Sequence, residues 1–155
     1  MLKGAIAGAI ATIPMSAFML LAKQVGLMGE QPPRKITRRF LVRSGDKQPR
    51  GETQDVLASA LHFGFGAVGG ALFALAFRLL RLPFPSALQG AAYGTGVWAV
   101  SYLGWVPELG IMPPADRDRP GRPQSMLVAH WIYGSVLGVL VSGHGAVEET
   151  KSRAA

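Results

Sequence analysis

Two histidines are the side chains whose type and position could carry chemistry. His62 and His130 each lie inside a long uncharged stretch, seven residues beyond Asp55 and Pro123 respectively, which is a depth of about 10 Å on a helix. Each is followed four residues later by Gly-x-x-x-Gly, so we expect the imidazole on the face used for helix packing. Titratable groups at such a depth in a membrane are costly and therefore mark candidate functional sites.

Three roles for this pair remain open on the sequence alone. In the first, each histidine is neutral and hydrogen-bonds to a neighbouring helix, which contributes to packing. In the second, His62 and His130 are axial ligands of a haem or chlorin, and aromatic side chains form the walls around the ring: Phe63, Phe65, Trp98 and Trp131. In the third, protonation of the pair controls a proton or solute path, lined near the bend at Pro14 by Ser16, Thr95, Ser101 and Tyr102.

The other polar residues do not indicate an enzyme. The chain has no cysteine, which excludes thiolate catalysis and cysteine-ligated metals. Asp116 and Asp118 alternate with Arg117 and Arg119 in a proline-bounded segment, which is typical of a solvated loop with internal ion pairs rather than of a catalytic pair. Two histidines without a carboxylate at their depth are too few for a metal site. We therefore predict no catalytic residue and no metal site.

The elements that must position the histidines are four apolar stretches. Every Lys, Arg, Asp and Glu residue lies outside them, and each is long enough to cross about 30 Å of hydrocarbon, which takes about 20 helical residues. We predict an all-α, polytopic membrane protein with a single membrane domain over residues 1–155. Its four transmembrane helices are predicted at about 4–22, 56–77, 84–106 and 124–146.

The distribution of positive charge predicts the orientation. Most of the 16 Lys and Arg residues fall in segments 23–55 and 107–123, so the positive-inside rule puts these two loops in the cytoplasm and both termini in the periplasm of a bacterial inner membrane. We read the net charge of +7 as this topology signal and predict no nucleic-acid partner. In the first loop, basic residues surround Ile36 and Phe40 at helical spacing and predict binding to anionic lipid headgroups: Arg34, Lys35, Arg38, Arg39 and Arg43.

Glycine spacing predicts how the helices pack and how they are related. Each predicted span contains Gly-x-x-x-Gly, which permits close helix packing in lipid: Gly4, Gly8, Gly66, Gly70, Gly90, Gly94, Gly134 and Gly138. Both halves of the chain then continue with the same landmarks, a Gly-x-Met turn at Gly26 or Gly110 followed by Pro-Pro, and a helix carrying His-x-x-x-Gly-x-x-x-Gly. We predict two repeated helical hairpins related by a pseudo-twofold axis along the membrane normal, forming a homo-oligomer or a subunit of a larger membrane complex.

Four loose motifs carry a family resemblance: His62 near the start of the second span, Gly94-x-Gly96-x-Trp98 in the third, Pro107 and Gly110 at its end, and His130-Trp131 in the last. In these the chain resembles the YagU-like family of uncharacterised bacterial inner-membrane proteins. The resemblance implies a multi-spanning inner-membrane location and a link to acid tolerance. It implies no catalytic residue.

Together these features predict a small multi-pass inner-membrane protein without enzymatic activity. We expect an accessory or transport-type component linked to proton or acid stress and without a cofactor. The alternative is a membrane subunit that binds a haem or chlorin through His62 and His130.

Overall fold

The computed structural model describes the backbone of residues 1–43, 52–80 and 82–153 and the side chains of residues 1–39, 52–80 and 82–143. All regular structure in these ranges is helical. The α-helices are α1 (Leu2–Gln24), α2 (Pro32–Arg43), α3 (Glu52–Leu80), α4 (Ser86–Trp98), α5 (Val106–Glu108) and α6 (Arg122–Arg153). A π-helical segment, Ala99–Trp105, joins α4 to α5, and a short 3-10 helix, Ala115–Arg117, precedes α6.

Three segments are long and apolar enough to cross a membrane. They are Leu2–Gln24, Glu52–Leu80 and Arg122–Gly143, with 23, 29 and 22 residues. Their length matches the roughly 20 residues that a bilayer requires, and they indicate a membrane protein. The all-helical prediction and the membrane prediction are confirmed in this form.

The third predicted span, 84–106, is divided rather than continuous. The α-helix α4 has only 13 residues, which is too short to cross a bilayer alone. The chain continues as the π-helical segment, in which Gly104 leaves the helical region with φ −106° and ψ −109°. Glycine tolerates such a backbone conformation, and Pro107 just beyond it has no N–H to donate to the preceding turn.

Two antiparallel helix pairs pack through their glycines. In the pair α1 and α3, a Cβ atom added at Gly4 would lie 2.8 Å from the carbonyl oxygen of Gly70, and one at Gly8 would overlap the carbonyl of Gly66. In the pair α4 and α6, a Cβ at Gly90 would overlap the carbonyl of Gly134. Added Cβ atoms would also overlap backbone at Gly94, which faces the carbonyl of His130, and at Gly138, which faces Ser86.

The two helix pairs join along α1 and α6 and separate along α3 and α4. Contacts between α1 and α6 are extensive, whereas α3 and α4 barely touch. The buried core of the joined side includes the small residues Ala7 and Ala11 of α1 with Ala129 and Leu137 of α6. Large apolar side chains of α3, such as Phe65 and Val68, stay exposed on the separated side.

Helix α1 and the divided segment that runs from α4 to α5 end in the same way. At the end of α1, Gly26 has φ +82°, its N–H donates to the carbonyl of Lys23, and the next N–H donates to Ala22. After α5, Gly110 has φ +65°, its N–H donates to Pro107, and the next N–H donates to Val106. Both are glycine caps of the Schellman type, for which a positive φ favours glycine. We call this end of the molecule, which also carries α2, the loop end.

Candidate functional site

A cavity of about 940 Å³ fills the space between α3 and the α4 helix with its π-helical continuation. We call it the main cavity. Its outer rim is apolar and exposed: Leu61, Phe65 and Val68 of α3 are 50%, 54% and 61% exposed, and Val100 across the gap is 69% exposed. Because α3 and α4 barely touch, the main cavity opens between these two helices onto the exposed apolar side of the molecule.

The inner wall of the main cavity comes from α1 and α6. Met15 and Met19 of α1 and Met126 of α6 are buried and line it. Methionine has a flexible, polarisable side chain that adapts to irregular apolar surfaces. This wall therefore favours an apolar molecule of variable shape.

Two tyrosines close the cavity toward the chain termini. The Tyr93 hydroxyl donates to the carbonyl oxygen of Gly69 at 2.8 Å, and the Tyr133 hydroxyl donates to that of Gly66 at 2.7 Å. A Cβ atom at Gly69 would lie 2.9 Å from the Tyr133 oxygen. Both tyrosines therefore contact α3 at glycines, where no side chain blocks their approach. Phe73 packs on Tyr93 with ring centroids 5.2 Å apart.

Helix α2 closes the cavity at the loop end. Pro32 and Thr37 are buried and line the cavity together with Ile36. An ion pair between Arg34 and Asp55 attaches α2 to α3. The hydrogen bond to Asp55 raises the pKa of Arg34, despite partial desolvation.

Two of the basic residues of α2 form ion pairs. Arg34 pairs with Asp55, and Arg38 pairs with Glu30 at 3.0 Å. Lys35 is half-buried and Arg39 is exposed. The side chain of Arg43 lies outside the described residues. Binding of these five residues to lipid headgroups stays a prediction.

Both predicted histidines lie in the wall of the main cavity. The Nδ1–H of His130 donates to the carbonyl oxygen of Met126 at 2.7 Å, which leaves Nε2 as an acceptor in the neutral ring. The Nε2 atom of His62 is buried and has no hydrogen-bond partner within the described part of the chain.

A second, smaller cavity of about 290 Å³ adjoins the main one at the loop end. We call it the side cavity. It shares Met19, Pro33, Ala58 and His62 with the main cavity, so His62 stands where the two meet. Its remaining lining is largely polar: Ser16, Lys23, Gln31, Arg34, Asp55 and Ser59.

The aromatic residues predicted as macrocycle walls do not come together. Phe65 lines the main cavity and Phe63 the side cavity. Trp98 stacks on Tyr102 at 5.9 Å between ring centroids. Trp131 is 44% exposed, donates to the Thr95 hydroxyl at 2.8 Å and lies outside both cavities.

A buried polar cluster at the loop end differs from the solvated loop that we predicted. Asp118 accepts hydrogen bonds from Tyr102 and, at 2.7 Å, from Arg122, and the two charged side chains are only 2% and 7% exposed. The prediction of internal pairing holds only for Asp116 and Arg117, which are exposed and 3.7 Å apart. The four-residue spacing between Asp118 and Arg122, which allows an ion pair at the start of α6, is the feature of the sequence that could have predicted this contact.

Among the described residues, no group of three or more His, Asp or Glu side chains is arranged to hold a metal ion. The protein family described as "Family of unknown function (DUF6789)" matches residues 1–151 of the chain. No curated protein and no solved structure matches it.

Proposed function

The chain belongs to the DUF6789 family of unknown function, and we propose that it is a multi-pass inner-membrane protein that binds a lipid-soluble ligand within the bilayer. The observation that carries this proposal is the main cavity, which is apolar and open between α3 and α4. Its volume of about 940 Å³ is near the upper end of the roughly 300–1,000 Å³ typical of ligand pockets. A molecule dissolved in the bilayer would reach it without crossing water.

The proposed role is that of an accessory or transport-type component rather than an enzyme. The cavity offers adaptable apolar walls and few polar groups, which suits binding and release more than covalent chemistry. A link to acid tolerance stays a prediction from the YagU-like resemblance.

We further propose four spans arranged as two repeated hairpins, with both termini in the periplasm. The matching glycine caps at Gly26 and Gly110 and the two glycine-packed helix pairs support the repeat. In such a repeat, the contact between α1 and α6 corresponds to that between α4 and α3. Of these two equivalent interfaces, the one between α1 and α6 is closed and the one between α3 and α4 is open. The main cavity would occupy the open one. That open face would also be where a second copy or a larger complex could pack.

Cavity filling tests the ligand proposal directly. A Cβ atom added at Gly96 would meet no atom within 4 Å, and Gly96 lines the main cavity. Gly64 on α3 is equally unobstructed but lines neither cavity, so it supplies a matched control. We expect Gly96→Phe to reduce bound lipid at least fivefold by native mass spectrometry, and Gly64→Phe to leave it unchanged. Equal lipid binding by both variants would refute the proposal.

A haem or chlorin is a second candidate, because His62 and His130 line one cavity and the Nδ1 hydrogen bond of His130 resembles the outer-shell support of a metal-ligating histidine. The dispersed aromatic residues argue against it. Absorption spectra of protein purified from its native host decide between the two. A Soret band lost in both His62→Ala and His130→Ala would establish the cofactor.

A further inference from the structure

We propose that the ligand is an amphipathic lipid with an anionic headgroup, whose chain occupies the main cavity and whose headgroup occupies the side cavity. This inference rests on the proposed function. Its starting observation is that the two cavities meet at His62 and differ in character: the main cavity is almost wholly apolar, whereas the side cavity is lined by polar as well as apolar groups. An amphipathic lipid likewise has an apolar chain joined to a polar headgroup.

Two buried polar atoms near the junction lack hydrogen-bond partners among the described residues. They are the Oγ of Ser16 on α1 and the Nε2 of His62 on α3, and both residues line the side cavity. Buried polar groups are almost always hydrogen-bonded, so each such exception calls for a partner. A headgroup oxygen between α1 and α3 can accept from both.

The rim of the side cavity carries a net positive charge. Arg34 is paired with Asp55, which leaves the charge of Lys23 uncompensated because Lys23 makes no ion pair within the described part of the chain. Lys23 lies seven residues beyond Ser16 on α1, a rise of about 10 Å toward the loop end. The side cavity therefore runs from a cationic rim to a hydrogen-bonding interior, which favours a negatively charged headgroup over a neutral one.

Depth in the membrane agrees with this arrangement. Lys23 is at the end of α1, where a long side chain reaches the headgroup region. Ser16 and His62 are about two helical turns deeper, at the level where a lipid changes from headgroup to chain. The opening between α3 and α4 begins at about the same level, at Leu61, and extends deeper to Val68, so the chain would leave or enter there.

The test compares two probes that differ only in the headgroup. Dioleoyl phosphatidic acid and dioleoylglycerol have the same chains, and their affinities are measured by native mass spectrometry of the full chain in detergent. We expect the wild type to prefer phosphatidic acid at least tenfold and Lys23→Gln to lower this preference at least threefold. Lys23→Arg should keep it, and so should the charge-matched control Arg78→Gln, at the opposite end of α3.

The outcomes separate the inference from the proposed function. Equal binding of both probes by the wild type, with loss of both in Gly96→Phe, would overturn the anionic headgroup and leave the ligand cavity intact. Binding of neither probe, or binding unaffected by Gly96→Phe, would overturn the proposed function. Displacement of phosphatidic acid by inorganic phosphate at millimolar concentration would indicate a site for a soluble anion and would overturn the lipid assignment.

Discussion

The Tyr133 hydroxyl, on α6, donates a 2.7 Å hydrogen bond to the Gly66 carbonyl oxygen on α3. This bond connects the two helix pairs across the gap where α3 and α4 separate. With the parallel bond from Tyr93 to Gly69, it closes the main cavity on the side of the termini. The same tyrosines therefore hold α3 in place and limit the cavity.

Removing these hydroxyls should loosen α3. Interhelical hydrogen bonds in membrane proteins average about 0.6 kcal/mol and reach about 1.7 kcal/mol. We expect Tyr133→Phe and Tyr93→Phe each to destabilise the protein within that range, and the double variant to lose roughly the sum. Unfolding in mixed micelles measures the free energy. A double variant as stable as the wild type would show that the two bonds do not hold α3.

The effect of a glycine substitution on stability should depend on whether the glycine lies in a helix contact. A Cβ atom at Gly134 would overlap the carbonyl of Gly90, whereas one at Gly64 meets nothing within 4 Å. Overpacking of this kind typically costs about 1–3 kcal/mol, so Gly134→Ala should destabilise by about that amount. Gly64→Ala should be neutral or slightly stabilising because alanine is the better helix former. Equal stability of the two variants in the same unfolding assay would contradict the close packing of α4 on α6.

The buried cluster at the loop end should be sensitive to the loss of one charge. Asp118→Asn removes the anion that Arg122 faces at 2.7 Å, and breaking a buried pair on one side typically costs about 3–5 kcal/mol. Asp116→Asn is the control, because its pair with Arg117 is exposed and exposed pairs contribute little. Similar thermal stability of the two variants would show that Asp118 and Arg122 are not coupled in the folded protein.

The sequence predicted the helices well, but for the space between them it suggested a polar path lined by Ser16, Thr95, Ser101 and Tyr102 and not a large apolar cavity. Long uncharged stretches require helices of membrane length, so α1, α3 and α6 follow from composition. The division of the third predicted span did not follow, because a glycine and a proline such as Gly104 and Pro107 are common within membrane helices. The main cavity depends on which helices meet: Ala7 and Ala11 let α1 approach α6, whereas Phe65 and Val68 line a gap, and this pairing is a tertiary property.

For the two histidines, too, the sequence predicted the position but not the surroundings. Their position relative to the glycines placed His62 and His130 on inward faces, and both line one cavity. The different surroundings of the two rings could not be predicted from equivalent sequence positions. His130 is satisfied by its own helix at Met126, whereas His62 faces the side cavity, which is bounded by α2 and the end of α1.

Photo-crosslinking in a bilayer can show whether a lipid-soluble molecule occupies the main cavity. A lipid with a diazirine in its acyl chain labels any side chain that it touches, and mass spectrometry of the digested protein locates the sites. Met15 and Met126 line the inner wall and are each only 6% exposed, so surrounding lipid cannot reach them from outside. We predict labelling of both residues in the wild type and its loss in Gly96→Phe. Labelling confined to outward residues such as Ile10 and Ile13, with Met15 and Met126 unmodified, would show that no lipid occupies the main cavity.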